Sequence, residues 1–138
     1  MSGPTSARSF SMCEPSGELV LRTLAMPGDT NPNGDIFGGW IMSQMDIAGG
    51  LAAKNRSNSR VSTVAVESMS FIHPVQIGDV VCCYADILKV GTSSMRIKLE
   101  VWKLPRPYKS EGRNKVTEGV FTFVAIDDEG RPVPVDRD

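Results

Sequence analysis

The sequence predicts an α+β fold in which a five-stranded antiparallel sheet wraps around one long central helix. Three features carry this. One segment alone has helical spacing and is apolar almost all round. The strand-like runs fall one before it and four after it, and one of those runs alternates cleanly between apolar and polar residues. Helices and strands that segregate along the chain indicate an α+β arrangement, and a helix apolar on every side stays dry only if the sheet curls around it.

Residues 1–17, rich in Ser, Pro and Gly, read as an N-terminal tail. Glu18 to Ala25 alternates as a short strand. A turn-rich loop, MPGDTNPNGD, runs from Met26 to Asp35 with Pro27, Gly28, Pro32 and Gly34 as punctuation. The helix is expected over Ile36 to Ala53, where Ile41, Met45, Ala48 and Ala52 mark one face and Trp40, Ile47 and Leu51 fill another. Gly49 and Gly50 each cost such a helix about 1 kcal/mol relative to alanine, so something is expected to pack very close there. Lys54 to Arg60 is its polar exit.

The remainder reads as strands. Val61 to Ile72 is β-branched and ends at His73-Pro74, and Asp79 to Val90 follows the Gly78 turn. Gly91-Thr92 leads into Ser93 to Trp102, where Ser93, Met95, Ile97, Leu99 and Val101 face one way and Ser94, Arg96, Lys98 and Glu100 the other. After a polar loop from Leu104 to Gly112, the last strand is Val116 to Ile126. The domain is therefore expected over 18–127, with 128–138 as a Pro-rich C-terminal tail. One helix cannot cover every apolar sheet position, so a homodimer or larger assembly is expected.

A net charge of −1, from 15 basic and 16 acidic residues, argues against a nucleic-acid partner. No run approaches the ~20 apolar residues that span a bilayer, and the N-terminus lacks the pattern of a leader peptide. A cytoplasmic protein is expected. Cys13, Cys82 and Cys83 have no metal-binding spacing and His73 is the one histidine, so neither a metal site nor a disulfide framework is expected. Cys82 and Cys83, adjacent on a strand, should point to opposite faces as buried structural thiols.

Between Asp35 and Lys54 there is one charged residue, Asp46. A carboxylate amid apolar neighbours must be paired, wet or protonated. Asp46 is either a functional group or lies on an exposed sliver of helix beside Ser43 or Gly50; the pattern leaves both open. Gly38-Gly39 opens the same helix, whose first N–H groups lack internal partners and can meet a ligand oxygen closely where no Cβ intervenes. Eight residues separate Gly38 from Asp46, about 12 Å along a helix at 1.5 Å per residue. One helix cannot bring both to one reacting carbon, so if they act together they act across a dimer.

These segments, RTLAMPGDTNPNGDIFGGWIMSQMDIAGG and VSTVAVESMSFIHPVQIGDVVCCYADILKVGTSSMRIKLEVW, closely resemble the YciA-type acyl-CoA thioesterases of the hotdog-fold superfamily. The resemblance spans about Leu19 to Asp127. It rests on N-x-x-G-x-x-x-G-G, on the Asp eight residues after the first Gly of the pair, and on F-x-x-P-x-x-x-G-D from Phe71 to Asp79. It implies a hotdog fold, hydrolysis of acyl-CoA to a free acid and CoA, and no cofactor beyond the CoA that the substrate carries. Homodimers, commonly assembled as hexamers (trimers of dimers), are implied with it.

By resemblance the helix carboxylate is Asp46, the loop asparagine Asn31, and the donor to the thioester carbonyl Gly38, with Gly39 as the adjacent alternative. Carboxylate and donor come from different subunits. Phe37 stands where some relatives carry a histidine. Where others hold the catalytic water with a Ser or Thr, the alignment places Val64, with Thr63 adjacent as a substrate-binding candidate. Lys89, Arg96 and Lys98 around the Gly91 hairpin, with Ser93 and Ser94, are candidates for the CoA phosphates, as are Arg106, Lys109 and Arg113. Most of these cations also suit plain solvated faces. A hotdog hydratase would pair the Asp with a helix His, which this chain lacks; a non-catalytic acyl-CoA sensor would not need Asp46. Trp40, Met42 and Met45 are candidates for the acyl tunnel or for ordinary core.

Overall fold

The computed structural model describes residues 14–104 and 112–137. In chain order these form β1 (Glu18–Leu24), α1 (Gly38–Ser57), β2 (Arg60–Phe71), β3 (Val80–Val90), β4 (Ser94–Leu104) and β5 (Asn114–Ile126). A 3-10 turn, Pro27–Asp29, lies in the loop before α1. The strands make one antiparallel sheet ordered β1-β3-β4-β5-β2, and α1 touches all five. The β3–β4 and β4–β5 connections join sheet neighbours, whereas β2 to β3 crosses from one edge to the strand beside the other edge. The two strands that flank α1 in sequence are thus the two sheet edges.

The core lies between α1 and the central strands. Met95, Ile97, Leu99 and Val101 of β4 are fully buried against Ile41, Met45 and Ala48 of α1, with Phe121 and Phe123 of β5. The alternation read from β4 therefore sets the inner face. Gly49 is required by this packing: a Cβ there would stand 2.6 Å from Phe123 Cζ and 3.3 Å from Leu99 Cδ2. Gly50 is different, because a Cβ there would meet nothing within 4 Å.

The helix begins two residues later and ends four later than the sequence suggests. Ile36 and Phe37 stay extended because their N–H groups donate to Val75 O and Asp29 O, at 2.9 Å each. Lys54 to Ser57, expected in the exit, add a final turn. Asn58 then stops the helix in a left-handed conformation (φ 51°), its N–H donating to Lys54 O. Arg137 donates to Ser57 O and Asn58 O at 3.0 and 3.1 Å. Residues 128–137 thus fold back over the helix end, burying Val135.

The sheet covers only one face of α1. Ile47 and Leu51 on the open face remain 49% and 45% exposed, and Val64 and Val66 on edge strand β2 are exposed as well. On the outer sheet face, Arg96 and Lys98 point away from the core as expected, but Glu100 is only 3% exposed. It accepts from Ser16 Oγ (2.6 Å) and Trp102 Nε1 (2.9 Å), with Lys98 Nζ at 3.4 Å and Lys115 Nζ at 3.7 Å. Burial opposes ionisation of this carboxyl. The hydrogen bonds and the two lysines outweigh it, holding its pKa below the ordinary glutamate value.

Cys83 lies in the core and Cys82 on the opposite face, where Arg22 Nε donates to its sulfur at 3.2 Å. Burial, then the neighbouring Cys82, pushes the Cys83 thiol up to about 12. Both thiols are buried and free. Among the described residues no helix is long and apolar enough to cross a membrane.

Candidate active site

Asp46 sits on the exposed side of α1 that faces β2, and its Oδ1 accepts a 2.6 Å hydrogen bond from Thr63 Oγ1. The β2–β5 register slips between Thr63 and Ala65. A slip of this kind re-aims side chains, and Thr63, paired with Phe123 of the inner face, turns toward the helix. Val64 is left open. The position that the alignment favoured therefore makes no contact with the carboxylate, and its neighbour does. The bond commits one carboxylate oxygen and leaves the other available.

The second group of residues lies at the far end of α1. Asn31 Oδ1 accepts from the N–H groups of Asn33 (2.9 Å) and Asp35 (3.1 Å), while its own N–H donates to Asp35 O at 2.6 Å. Gly34 completes the turn at φ +86°, a conformation that glycine adopts without strain. Because the amide oxygen is spent on the turn, the NH2 is the group that Asn31 can offer outward. Among the described residues nothing accepts from it.

Gly38 and Gly39 form the first turn of α1, and no acceptor among the described residues takes their N–H groups. Among the described residues no side chain caps the start of the helix. A Cβ at Gly39 would meet nothing within 4 Å, and one at Gly38 would only touch the Phe71 ring at 3.4 Å. The fold itself thus does not demand glycine at either position, although alanine would serve a helix better by about 0.5–1 kcal/mol. Open N–H groups at a helix start carry its partial positive charge. They are ready donors for an oxyanion.

The chain does not bring these two groups together, since they sit at opposite ends of eight helical residues. It also separates both from the candidate phosphate cations. Arg96 lies on the sheet face away from α1, paired with Glu67 at 3.2 Å. Lys98 is paired with Glu100. Lys89 is exposed and, among the described residues, without a partner. Ser94 packs its hydroxyl against Gly91, and Ser93 O accepts from Ala125 N–H at 2.8 Å, so both shape the hairpin. Arg113 stacks over Trp102 at 5.6 Å; Arg106 and Lys109 lie outside the described residues.

His73 is far from Asp46, its Nδ1–H donating to Lys115 O at 2.8 Å. Met45 is core; Met42 is exposed and Trp40 half-buried. The Asp46–Thr63 bond and the contact of Phe71 with Gly38 were missed in the sequence, because each joins segments whose register depends on irregularities in β2.

Residues 33–108 match the thioesterase superfamily. The acyl-CoA thioester hydrolase YciA of Salmonella typhimurium is 57% identical over 122 residues, covering 88% of this chain and 92% of that protein. Among solved structures, the hexameric thioesterase y2039 of Yersinia pestis superposes with a TM-score of 0.84 at 55% identity, over 91% of this chain and all of that one. A hexameric hotdog-fold thioesterase of Campylobacter jejuni does so at 0.80 and 38% identity, over 87% and 91%.

Proposed function

Since the chain belongs to the hotdog-fold thioesterase superfamily and is an acyl-CoA thioester hydrolase of the YciA type, we propose that Asp46 is its catalytic carboxylate and that Gly38 of a second subunit polarises the thioester. The observation that carries this reading is the Asp46–Thr63 hydrogen bond, which fixes the one carboxylate on the open face of α1. In the assembled site the acyl carbonyl oxygen accepts from the Gly38 N–H, with Gly39 beside it, and Asn31 offers its NH2 to the water or to the carboxylate.

Two routes use these same groups. In the first, Asp46 takes a proton from water as the water oxygen adds to the carbonyl carbon; the tetrahedral oxyanion rests on Gly38 and collapses to expel the CoA thiolate, which is then protonated. In the second, Asp46 attacks the carbon itself and expels the thiolate, and water hydrolyses the resulting anhydride. Neither needs a cofactor besides the CoA of the substrate. Single-turnover hydrolysis in ¹⁸O-water bears on the choice: label in the Asp46 side chain marks an anhydride opened at its aspartyl carbon, whereas label in the product acid alone leaves the general base or an anhydride opened at its acyl carbon.

The apolar edge at Val64 and Val66 and the open helix face at Ile47 and Leu51 support a dimer across β2 and α1. The relatives from Yersinia pestis and Campylobacter jejuni are described as hexameric, which supports a hexamer here, and we read it as a trimer of dimers. We place the CoA phosphates at the Gly91 hairpin, near Lys89, Arg96, Ser93 and Ser94. Charge reversal at Lys89 and Arg96 should then raise KM in a salt-dependent way, and an unchanged KM would remove them from the site. The reading as a whole is tested by thiol release from a panel of acyl-CoAs. Wild type should hydrolyse them, and a folded Asp46→Asn variant should not.

A further inference from the structure

We propose that Phe71 is the apolar wall of the thioester site, lying against the reacting carbonyl group while the Gly38 N–H holds its oxygen; this rests on the role given to Gly38 above. Phe71 is the last residue of β2. Its Cζ, Cε2 and Cε1 atoms lie 3.4, 3.6 and 3.9 Å from where a Cβ on Gly38 would stand. Side chains of a helix lean toward its N-terminus. A ring in contact with that side of Gly38 therefore stands beside the helix end, where the Gly38 and Gly39 N–H groups open.

The ring is held by a fixed backbone. Phe71 pairs with Thr117 in the β2–β5 ladder, and the next N–H, of Ile72, donates to Val116 O at 2.7 Å. Yet the fold leaves the side chain 49% exposed, with Phe37, the residue before Gly38, 48% exposed as well. Leaving such side chains half in water forgoes about half of the roughly 1.5–3 kcal/mol that full burial of each would contribute. The three atoms nearest to that Cβ position all belong to the edge of the aromatic ring. A donor aimed at developing negative charge is worth most where water is excluded. Phe71 excludes water from one flank of the Gly38 donor, and the bound thioester completes the burial of the ring.

A wall beside the carbonyl acts on the chemical step and is indifferent to the acyl tail. Thiol release is measured with short-, medium- and long-chain acyl-CoAs for wild type, Phe71→Leu, Phe71→Gln and Asp46→Asn, each checked for assembly by size-exclusion chromatography. Phe71→Gln, polar and of related length, is expected to lower kcat on the order of tenfold at every chain length with KM little changed. That is a fraction of the ~10²–10³-fold that loss of an oxyanion donor costs. Phe71→Leu, which keeps the wall apolar, is expected to retain most of the activity.

An unchanged kcat in Phe71→Gln overturns the inference, as does a loss confined to KM or one that grows with chain length. If Phe71→Gln fails to assemble, Phe71→Ala, which opens the wall without adding a polar group, is read by the same criteria. Hydrolysis that is lost in Asp46→Asn but untouched at position 71 rejects the wall and leaves the role of Asp46 standing. Hydrolysis that survives in Gly38→Pro, assayed alongside, rejects the donor role on which the wall depends.

Discussion

Thr63 and Asp46 make a bond whose removal separates orientation from chemistry. Thr63→Val keeps the shape and deletes the donor, and a hydrogen bond to a charged group is worth about 1.5–3 kcal/mol. Steady-state kinetics should show kcat lowered about 10- to 100-fold in a protein of normal stability, against the ~10²–10⁴-fold expected for loss of the general base in Asp46→Asn. At the helix start, Gly38→Pro removes the proposed donor N–H at the first helical position, where proline is tolerated. Phe37 already has the extended backbone (φ −57°, ψ 136°) that precedes proline well. The variant should fold and assemble, and lose ~10²–10³-fold in kcat. Asp46 and Gly38 stand out in the sequence because they break local rules, a charge inside an apolar helix and glycines where alanine is better. Thr63 breaks none, and nothing short of the register places it.

Glu100 gives the pH prediction at this scale. Its pKa lies below the unfolded value near 4.5, so its stabilising contribution is complete above that value and is lost as pH falls through the lower, folded one. Glu100→Gln should therefore lower the Tm at pH 7, and the gap to wild type should narrow below about pH 4.5 as the wild-type carboxyl is protonated. A gap that stays constant down to pH 3 would mean that the pairing with Lys98 and Lys115 contributes nothing. The alternation of β4 places Glu100 on the outer face but reveals neither its burial nor its hydrogen bond with Ser16, a residue 84 positions away.

Among the elements, α1 carries two adjacent glycines with opposite reasons. Gly49→Ala drives a methyl into the Phe123 ring, and overpacking of this kind costs about 1–3 kcal/mol. Gly50→Ala meets nothing in the chain, so denaturant unfolding should show no loss and up to about 1 kcal/mol of gain from helix propensity. Any weakening of the oligomer or of activity in Gly50→Ala then reports on what approaches the open face. The pair was legible in the sequence as a place of close packing. Which glycine answers to the core was not, because both lie on an apolar stretch and only the sheet selects the buried side. The strands show the same division. The inner face of β4 is readable from its alternation, whereas β2 carries two register shifts that no periodicity records.

At the scale of the whole molecule, the proposed site is split within a single chain. Its carboxylate and its free helix N-terminus are about 12 Å apart along one axis, and its open helix face and edge strand are apolar. The proposed two-fold partner, covering the apolar face and supplying the start of a second helix, accounts for both. The most direct test mixes two inactive proteins, Asp46→Asn and Gly38→Pro, through dissociation and reassembly. If the site is shared, each mixed dimer holds one site with both substitutions and one with neither. Random 1:1 pairing should then restore about a quarter of wild-type activity. Mixed oligomers that form, by mass spectrometry, yet stay as inactive as either parent would contradict the shared site and return Asp46 and Gly38 to separate roles.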